Sequence, residues 1–156
     1  MRYFENLPAG LTIELEPVSV TSEDIVEFAR RYDPQPFHVD PSAGSSSAFG
    51  SLVASGIHTL ALFMRRFVDG VLLDAASVGS PGIDTVRWPR PVRPGDNLAF
   101  AYTVKSARPS QSRPAWGVVV GDGSARNQDG ESVLTLSVVN LIARRPQSKA
   151  QHSEPR

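Results

Sequence analysis

The sequence predicts a single α+β domain, an antiparallel β-sheet wrapped around a long buried central helix. Three observations predict it. Leu52 to Val68 is the most apolar segment, with Ile57, Leu60, Ala61, Met64, Phe67 and Val68 at helical spacing and Leu62 and Phe63 making the other side apolar too. A helix greasy nearly all round is buried on most sides. Four strand-like runs follow it: Asp84–Trp88, Leu98–Val104, Trp116–Val120 and Ser132–Ala143. The length of 156 residues suits one domain, because domains commonly hold about 100–200 residues.

The elements follow in chain order. Leu11 to Glu16 alternates apolar with polar, the period of a half-buried strand, and Pro17 stops it. Thr21-Ser22-Glu23-Asp24 reads as a capping box. The helix it opens carries Ile25, Phe28, Ala29 and Tyr32 on one face and ends near Tyr32, because Asp33 precedes a proline. From Asp33 to Pro41 three prolines predict an extended, stiff loop, and Asp40-Pro41 caps a short turn of helix. Gly44 to Ser47 is flexible by composition. Asp122-Gly123 and Asp129-Gly130 punctuate a long hairpin connection. The domain is expected over residues 1–144, with 145–156 a disordered polar tail.

Composition narrows the function. Sixteen Lys and Arg cancel sixteen Asp and Glu, so no general electrostatic pull on nucleic acid or an anionic membrane is expected. No cysteine is present, which removes disulfides, thiol nucleophiles and thiolate metal sites. The amino end lacks the apolar region of a signal peptide, and Leu52–Met64 is too short to cross a bilayer. The expectation is a soluble, cytoplasmic chain without metal or cofactor. A sheet this small leaves edges to cover, which predicts a homodimer.

The segment Tyr32-Asp33-Pro34-Gln35-Pro36-Phe37-His38-Val39-Asp40 is the most informative for chemistry. It sets a carboxylate and an imidazole five positions apart in a loop stiffened by Pro34 and Pro36. Such a pair can take one proton and deliver another if its geometry is held. Asp33 falls where a helix ends, and the partial negative charge there would raise its proton affinity. The bland alternative is a turn aspartate and a histidine bonded to backbone. Asp40 is explained as a helix cap. In Ala54-Ser55-Gly56-Ile57-His58, Ser55 is a plausible N-cap. Gly56 would leave a bare N–H at the positive end of the buried helix, able to polarise a carbonyl. The alternative is a glycine that only permits close packing. His58 either lines the pocket or satisfies a neighbouring backbone group.

These motifs, with Leu52-Val53-Ala54-Ser55-Gly56 and Pro91-Val92-Arg93-Pro94-Gly95-Asp96, resemble the MaoC-like dehydratases, which belong with the (R)-specific enoyl-CoA hydratases of the hotdog fold. The resemblance spans about Phe4 to Arg144. It implies a sausage helix in a bun of antiparallel sheet, commonly a dimer with its site near the subunit interface. It implies that Asp33 and His38 form the catalytic dyad that activates a water for addition to a 2-enoyl thioester, or releases one in the reverse direction. It implies that the Gly56 N–H binds the thioester carbonyl. The acyl group would come from CoA or a carrier protein. Two departures stand out: those enzymes have Asn where Gln35 stands, and a serine where Met64 stands, eight positions after the glycine. Met64, Phe63 and Leu60 are candidates for setting chain length, with core packing as the alternative. Ser55 and His58 are further candidate substrate contacts. Arg87, Arg90 and Arg93 cluster near the last motif and could meet the phosphates of an acyl carrier. Two other functions stay open, a hotdog thioesterase and an acyl-thioester-binding subunit without turnover.

Overall fold

Alternating large residues on β3 (Asn97–Pro109) build one wall of the core. Leu98, Phe100, Tyr102 and Val104 point inward and are buried, as their period of two predicts. The computed structural model describes residues 1–147. Its elements run β1 (Thr12–Ser19), α1 (Ser22–Tyr32), α2 (Pro36–Val39), α3 (Pro41–Ser45), α4 (Gly56–Phe67), β2 (Ser77–Arg87), β3, β4 (Trp116–Arg126) and β5 (Ser132–Ala143). A single antiparallel sheet has the order β1-β3-β4-β5-β2, and α4 packs on its inner face. This is the expected α+β, hotdog arrangement.

On the inner face of β4, Gly117, Gly121 and Gly123 are buried beside Val119 and Ala125, and Gly123 lies under Phe63 of α4. A Cβ on Gly121 would land on the Tyr102 ring, and one on Gly123 on the Phe63 ring and Leu136. Asp122-Gly123 is therefore not a turn: it lies inside β4, and the glycines are room for aromatic rings. Phe63 stacks on Phe67 with centroids 5.7 Å apart, and Phe67 meets Tyr102 at 4.5 Å. Asp129-Gly130 does sit in the β4–β5 turn, with Gly130 at φ +74°.

Several expectations need correction. Pro17 does not stop β1, which continues to Ser19 through a register shift between Leu15 and Val18; an edge strand tolerates a residue with no N–H to donate. β2 starts at Ser77, seven residues before the expected run, and crosses Pro81 on the opposite edge. The stiff loop contains one turn of helix, α2, with Pro36 in its first turn. Gly44 is not in a flexible stretch: it is buried in α3, and a Cβ there would collide with the Leu52 backbone. The stripe Ile57, Ala61 and Met64 on α4 faces outward, while Thr59, Phe63 and Phe67 face the sheet.

The caps form as read. Thr21 Oγ1 accepts from Asp24 N–H at 3.1 Å while Asp24 Oδ2 accepts from Thr21 N–H at 3.2 Å, and α1 ends at Tyr32. Asp40 Oδ1 accepts from Ser42 N–H at 2.9 Å to open α3. Most of the expected tail, from residue 148 on, lies outside the described residues; just before it, Arg145 N–H donates to Glu5 Oε2 at 3.0 Å. No helix among the described residues is long and apolar enough to cross a membrane.

Gly123→Ala should destabilise the fold by about 1–3 kcal/mol, the usual cost of overpacking. Urea denaturation checks this, and Phe63→Leu in the same chain should recover part of the loss by vacating the space.

Candidate active site

Four residues of extended chain, Leu52 to Ser55, set the geometry of the site. Val53 N–H donates to Phe37 O at 3.1 Å and Ala54 N–H donates to Val92 O at 2.9 Å. The segment is thereby strapped between the dyad loop on one side and the Pro91–Asp96 turn on the other. That turn is itself fixed: Gly95 adopts φ +87°, Gly95 N–H reaches Val20 O at 2.7 Å, and Arg93 N–H reaches Asp96 Oδ2 at 2.9 Å.

The side chains follow. His38 is buried, and its Nδ1 lies 2.6 Å from Val53 O. A carbonyl only accepts, so Nδ1 carries a hydrogen and Nε2 is left to face Asp33 Oδ2 at 3.4 Å. Asp33 Oδ2 also accepts from the hydroxyl of Ser55 at 2.7 Å, and Oδ1 accepts from Gln35 Nε2 at 2.8 Å. Asp33 and His38, five residues apart in sequence, are in contact.

The expected proton affinity of Asp33 is reversed. It does cap the end of α1, but the Ser55 hydroxyl and then the Gln35 amide hold its carboxylate below the usual aspartate range, against a smaller opposing effect of burial. Two hydrogen bonds to the charged form outweigh the partial charge of a helix end.

Ser55 is wholly buried and caps α4, its Oγ accepting from Ile57 N–H at 3.2 Å. Gly56 then opens the helix, and its own N–H has no acceptor among the described residues. Over Gly56 lies the indole of Trp88, whose Nε1–H donates to Gly56 O at 2.8 Å. A Cβ on Gly56 would sit 2.7 Å from that ring, so close packing and an open N–H are both true of this glycine. Asp33, Gln35, His38, Ser55, Gly56 and Trp88 line one cavity of about 530 Å³ with Phe37, Phe49, Thr59 and the 89–92 segment. A second, almost wholly apolar hollow of about 220 Å³ shares Ile57 with it and is lined by Leu60, Phe63, Met64, Phe67 and Ile83.

Other candidates fall elsewhere. His58 does not reach the dyad's cavity. Two residues past Gly56 puts it about 200° around the helix, where it stacks on Phe28 at 4.6 Å. Burial lowers its pKa. The three arginines do not act as a cluster. Arg93 staples Phe49 O at 2.8 Å and Ser51 Oγ, Arg87 bonds to Val86 O, and Arg90 alone lines the cavity, with its Nε 3.1 Å from Glu131. Met64 is two-fifths exposed on the rim of the apolar hollow. The sequence carries one local signal for Trp88, an aromatic at a strand end before proline, and none for the contact of Gln35 with Asp33. Among the described residues no group of three or more His, Cys, Asp or Glu could hold a metal ion.

The fold and this cavity together define a hotdog protein with a carboxylate and an imidazole in contact beside the N-terminus of its central helix. The MaoC-like domain family matches residues 5–120, and this chain belongs to that family. It is 37% identical to a MaoC-like dehydratase from Rhodospirillum rubrum, with a TM-score of 0.85 over 94% of this chain and 100% of that one. It is 28% identical over 139 residues to a 3-hydroxybutyryl-CoA dehydratase of Methylorubrum extorquens, covering 86% of this chain and 83% of that protein. An (R)-hydratase from Pseudomonas aeruginosa shares the fold at 22% identity and a TM-score of 0.74, over 99% of this chain and 94% of that one.

Gly56→Ala should displace the indole and break its bond to Gly56 O. The expected result is a shifted Trp emission spectrum with a far-UV dichroism spectrum like that of the wild type.

Proposed function

We propose that this protein is a hydro-lyase that reversibly hydrates a 2-enoyl thioester to the 3-hydroxyacyl thioester, with Asp33 and His38 as its acid–base pair and the Gly56 N–H as its oxyanion donor. The observation that carries the reading is the convergence of an ionised carboxylate, an imidazole Nε2 and an open helix-terminal N–H on one cavity. The family membership and the dehydratase relatives support it.

The chemistry needs only these parts. Asp33 takes a proton from water as the oxygen bonds to C3 of the enoyl group. The C2–C3 π electrons shift toward the thioester, whose oxygen gains charge and is stabilised by the Gly56 N–H at the positive end of α4. His38 delivers a proton from Nε2 to C2, restoring the thioester. Asp33 then returns its proton to Nε2 across the 3.4 Å contact. One water is consumed, and the reverse sequence expels it. The apolar hollow beyond Ile57 suits the acyl tail, with Met64 at its rim. The thioester's carrier arm would enter past Arg90.

A dimer belongs to the same proposal. β2 is exposed along nearly its whole length, and Ile57, Met64 and Ile83 line the open mouth of the apolar hollow. A second copy covering this face would pair an open strand edge and enclose the tail site. Met64→Glu should convert a dimer of twice 16.9 kDa into monomers by light scattering.

Loss of enoyl-thioester absorbance with 2-enoyl-CoA substrates tests the reaction. Wild type should remove the absorbance without freeing CoA thiol. Asp33→Asn should slow it by about 10²–10⁴-fold, the usual worth of general acid–base catalysis, while keeping its melting temperature. Release of free thiol would instead support a thioesterase, and acyl-CoA binding without either change a binding subunit.

A further inference from the structure

Asp33 is gripped from two sides by residues that come from different parts of the chain. Gln35 belongs to the dyad loop, and its backbone is fixed there: Gln35 N–H donates to Asp33 O at 2.8 Å, and Gln35 O accepts from His38 N–H at 2.9 Å. From that position its side-chain Nε2 reaches Asp33 Oδ1 at 2.8 Å. The amide can face a carboxylate only through its NH₂ group, because its oxygen would repel. Ser55 comes from the other side, twenty-two residues on, wholly buried, and gives its hydroxyl to Oδ2 at 2.7 Å. Its Oγ is oriented by the Ile57 N–H it accepts at 3.2 Å. A hydroxyl that accepts from a backbone N–H has its one hydrogen free to donate, and Asp33 is where it goes.

We propose that Gln35 and Ser55 are positioning residues for the hydration step: between them they hold both oxygens of Asp33, fix which lone pairs face the cavity, and assign that group the role of base. This rests on the hydro-lyase reading and divides labour within the pair. Unheld, a carboxylate and an imidazole in contact can exchange a proton and either can serve as the base. Two donors on the carboxylate favour its charged form and leave Oδ2 as an acceptor facing His38 Nε2 at 3.4 Å. The acid and base roles are thereby separated before substrate arrives. Neither Gln35 nor Ser55 needs to touch the reacting atoms.

The test is the pH dependence of kcat/KM, with kcat and KM resolved, for wild type, Gln35→Leu, Gln35→Glu, Ser55→Ala and Ser55→Thr on a 2-enoyl-CoA. Gln35 is exposed and caps no helix through its side chain, so its variants should fold even if loss of the α4 cap makes Ser55→Ala unstable. Gln35→Leu should move the acid limb to higher pH and Gln35→Glu further, because the new carboxylate repels Asp33. kcat should fall by about ten- to a hundredfold, the scale of a misplaced catalytic group, with KM within about threefold. Ser55→Thr should restore what Ser55→Ala loses. An acid limb unmoved in both Gln35 variants, or a loss confined to KM, overturns the proposal.

A second readout needs no turnover. In wild type the side-chain amide resonances of Gln35 should shift as Asp33 titrates in acid, and they should be flat in Asp33→Asn. If no enoyl-CoA is turned over but the amide shifts, the hydro-lyase reading falls and the grip stands. A flat amide in wild type overturns the grip itself.

Discussion

The site depends on one constraint, the extended strap from Leu52 to Ser55 held between two loops. Its backbone gives an N–H to Phe37 O and takes the His38 imidazole on Val53 O, while Ala54 ties it to Val92. Its last side chain both caps α4 and holds Asp33. Each functional atom is thus referred to the same four residues. The imidazole tautomer is set by a strap carbonyl, the carboxylate by a strap hydroxyl, and the open N–H of Gly56 follows immediately in the chain. Geometry held in this way is what positioned catalysis requires, since an error near 1 Å can cost about 10²-fold.

The same bonds tie activity to stability. Asp33 has a depressed pKa in the folded chain, so its contribution to folding is present above the ordinary aspartate range. That contribution is lost as pH falls through the folded value. Protonating Asp33 weakens the hold of Ser55 on it, and on the proposed mechanism it removes the base in the same event. His58 runs the other way. It is buried against Phe28, and burial disfavours its charged form, so acid also strains the packing of α1 on α4. Neither effect touches the sheet, whose core of Phe63, Phe67, Phe100 and Tyr102 carries no ionised group.

The sequence disclosed what is local in the chain. Asp33 and His38 are five residues apart in a proline-bound loop, and the caps at Thr21, Asp40 and Ser55 are contiguous motifs, so the pairing of those two side chains and the helix starts were legible there. The bare N–H of Gly56 was legible because a cap implies one a residue further on. What was hidden is set by contacts between distant residues. The Trp88–Gly56 bond spans thirty-two positions and the Ser55–Asp33 bond twenty-two. The inverted proton affinity of Asp33 followed from that second bond, which no spacing announces. Asp122-Gly123 resembled a turn because the reason for its glycine, the Phe63 ring above it, lies on another element. The arginines look clustered in sequence, yet their partners are Glu131 and the Phe49–Ser51 loop.

In the proposed complex a thioester lies with its carbonyl at Gly56 and its double bond between Asp33 and His38. A crystal structure of Asp33→Asn with a bound 2-enoyl-CoA measures that directly. The predicted result is the thioester oxygen within hydrogen-bond distance of Gly56 N, C3 facing the amide that replaces the Asp33 carboxylate, and the acyl tail running past Ile57 toward Met64. A thioester bound with its carbonyl carbon against that amide, or bound outside this cavity, would contradict it.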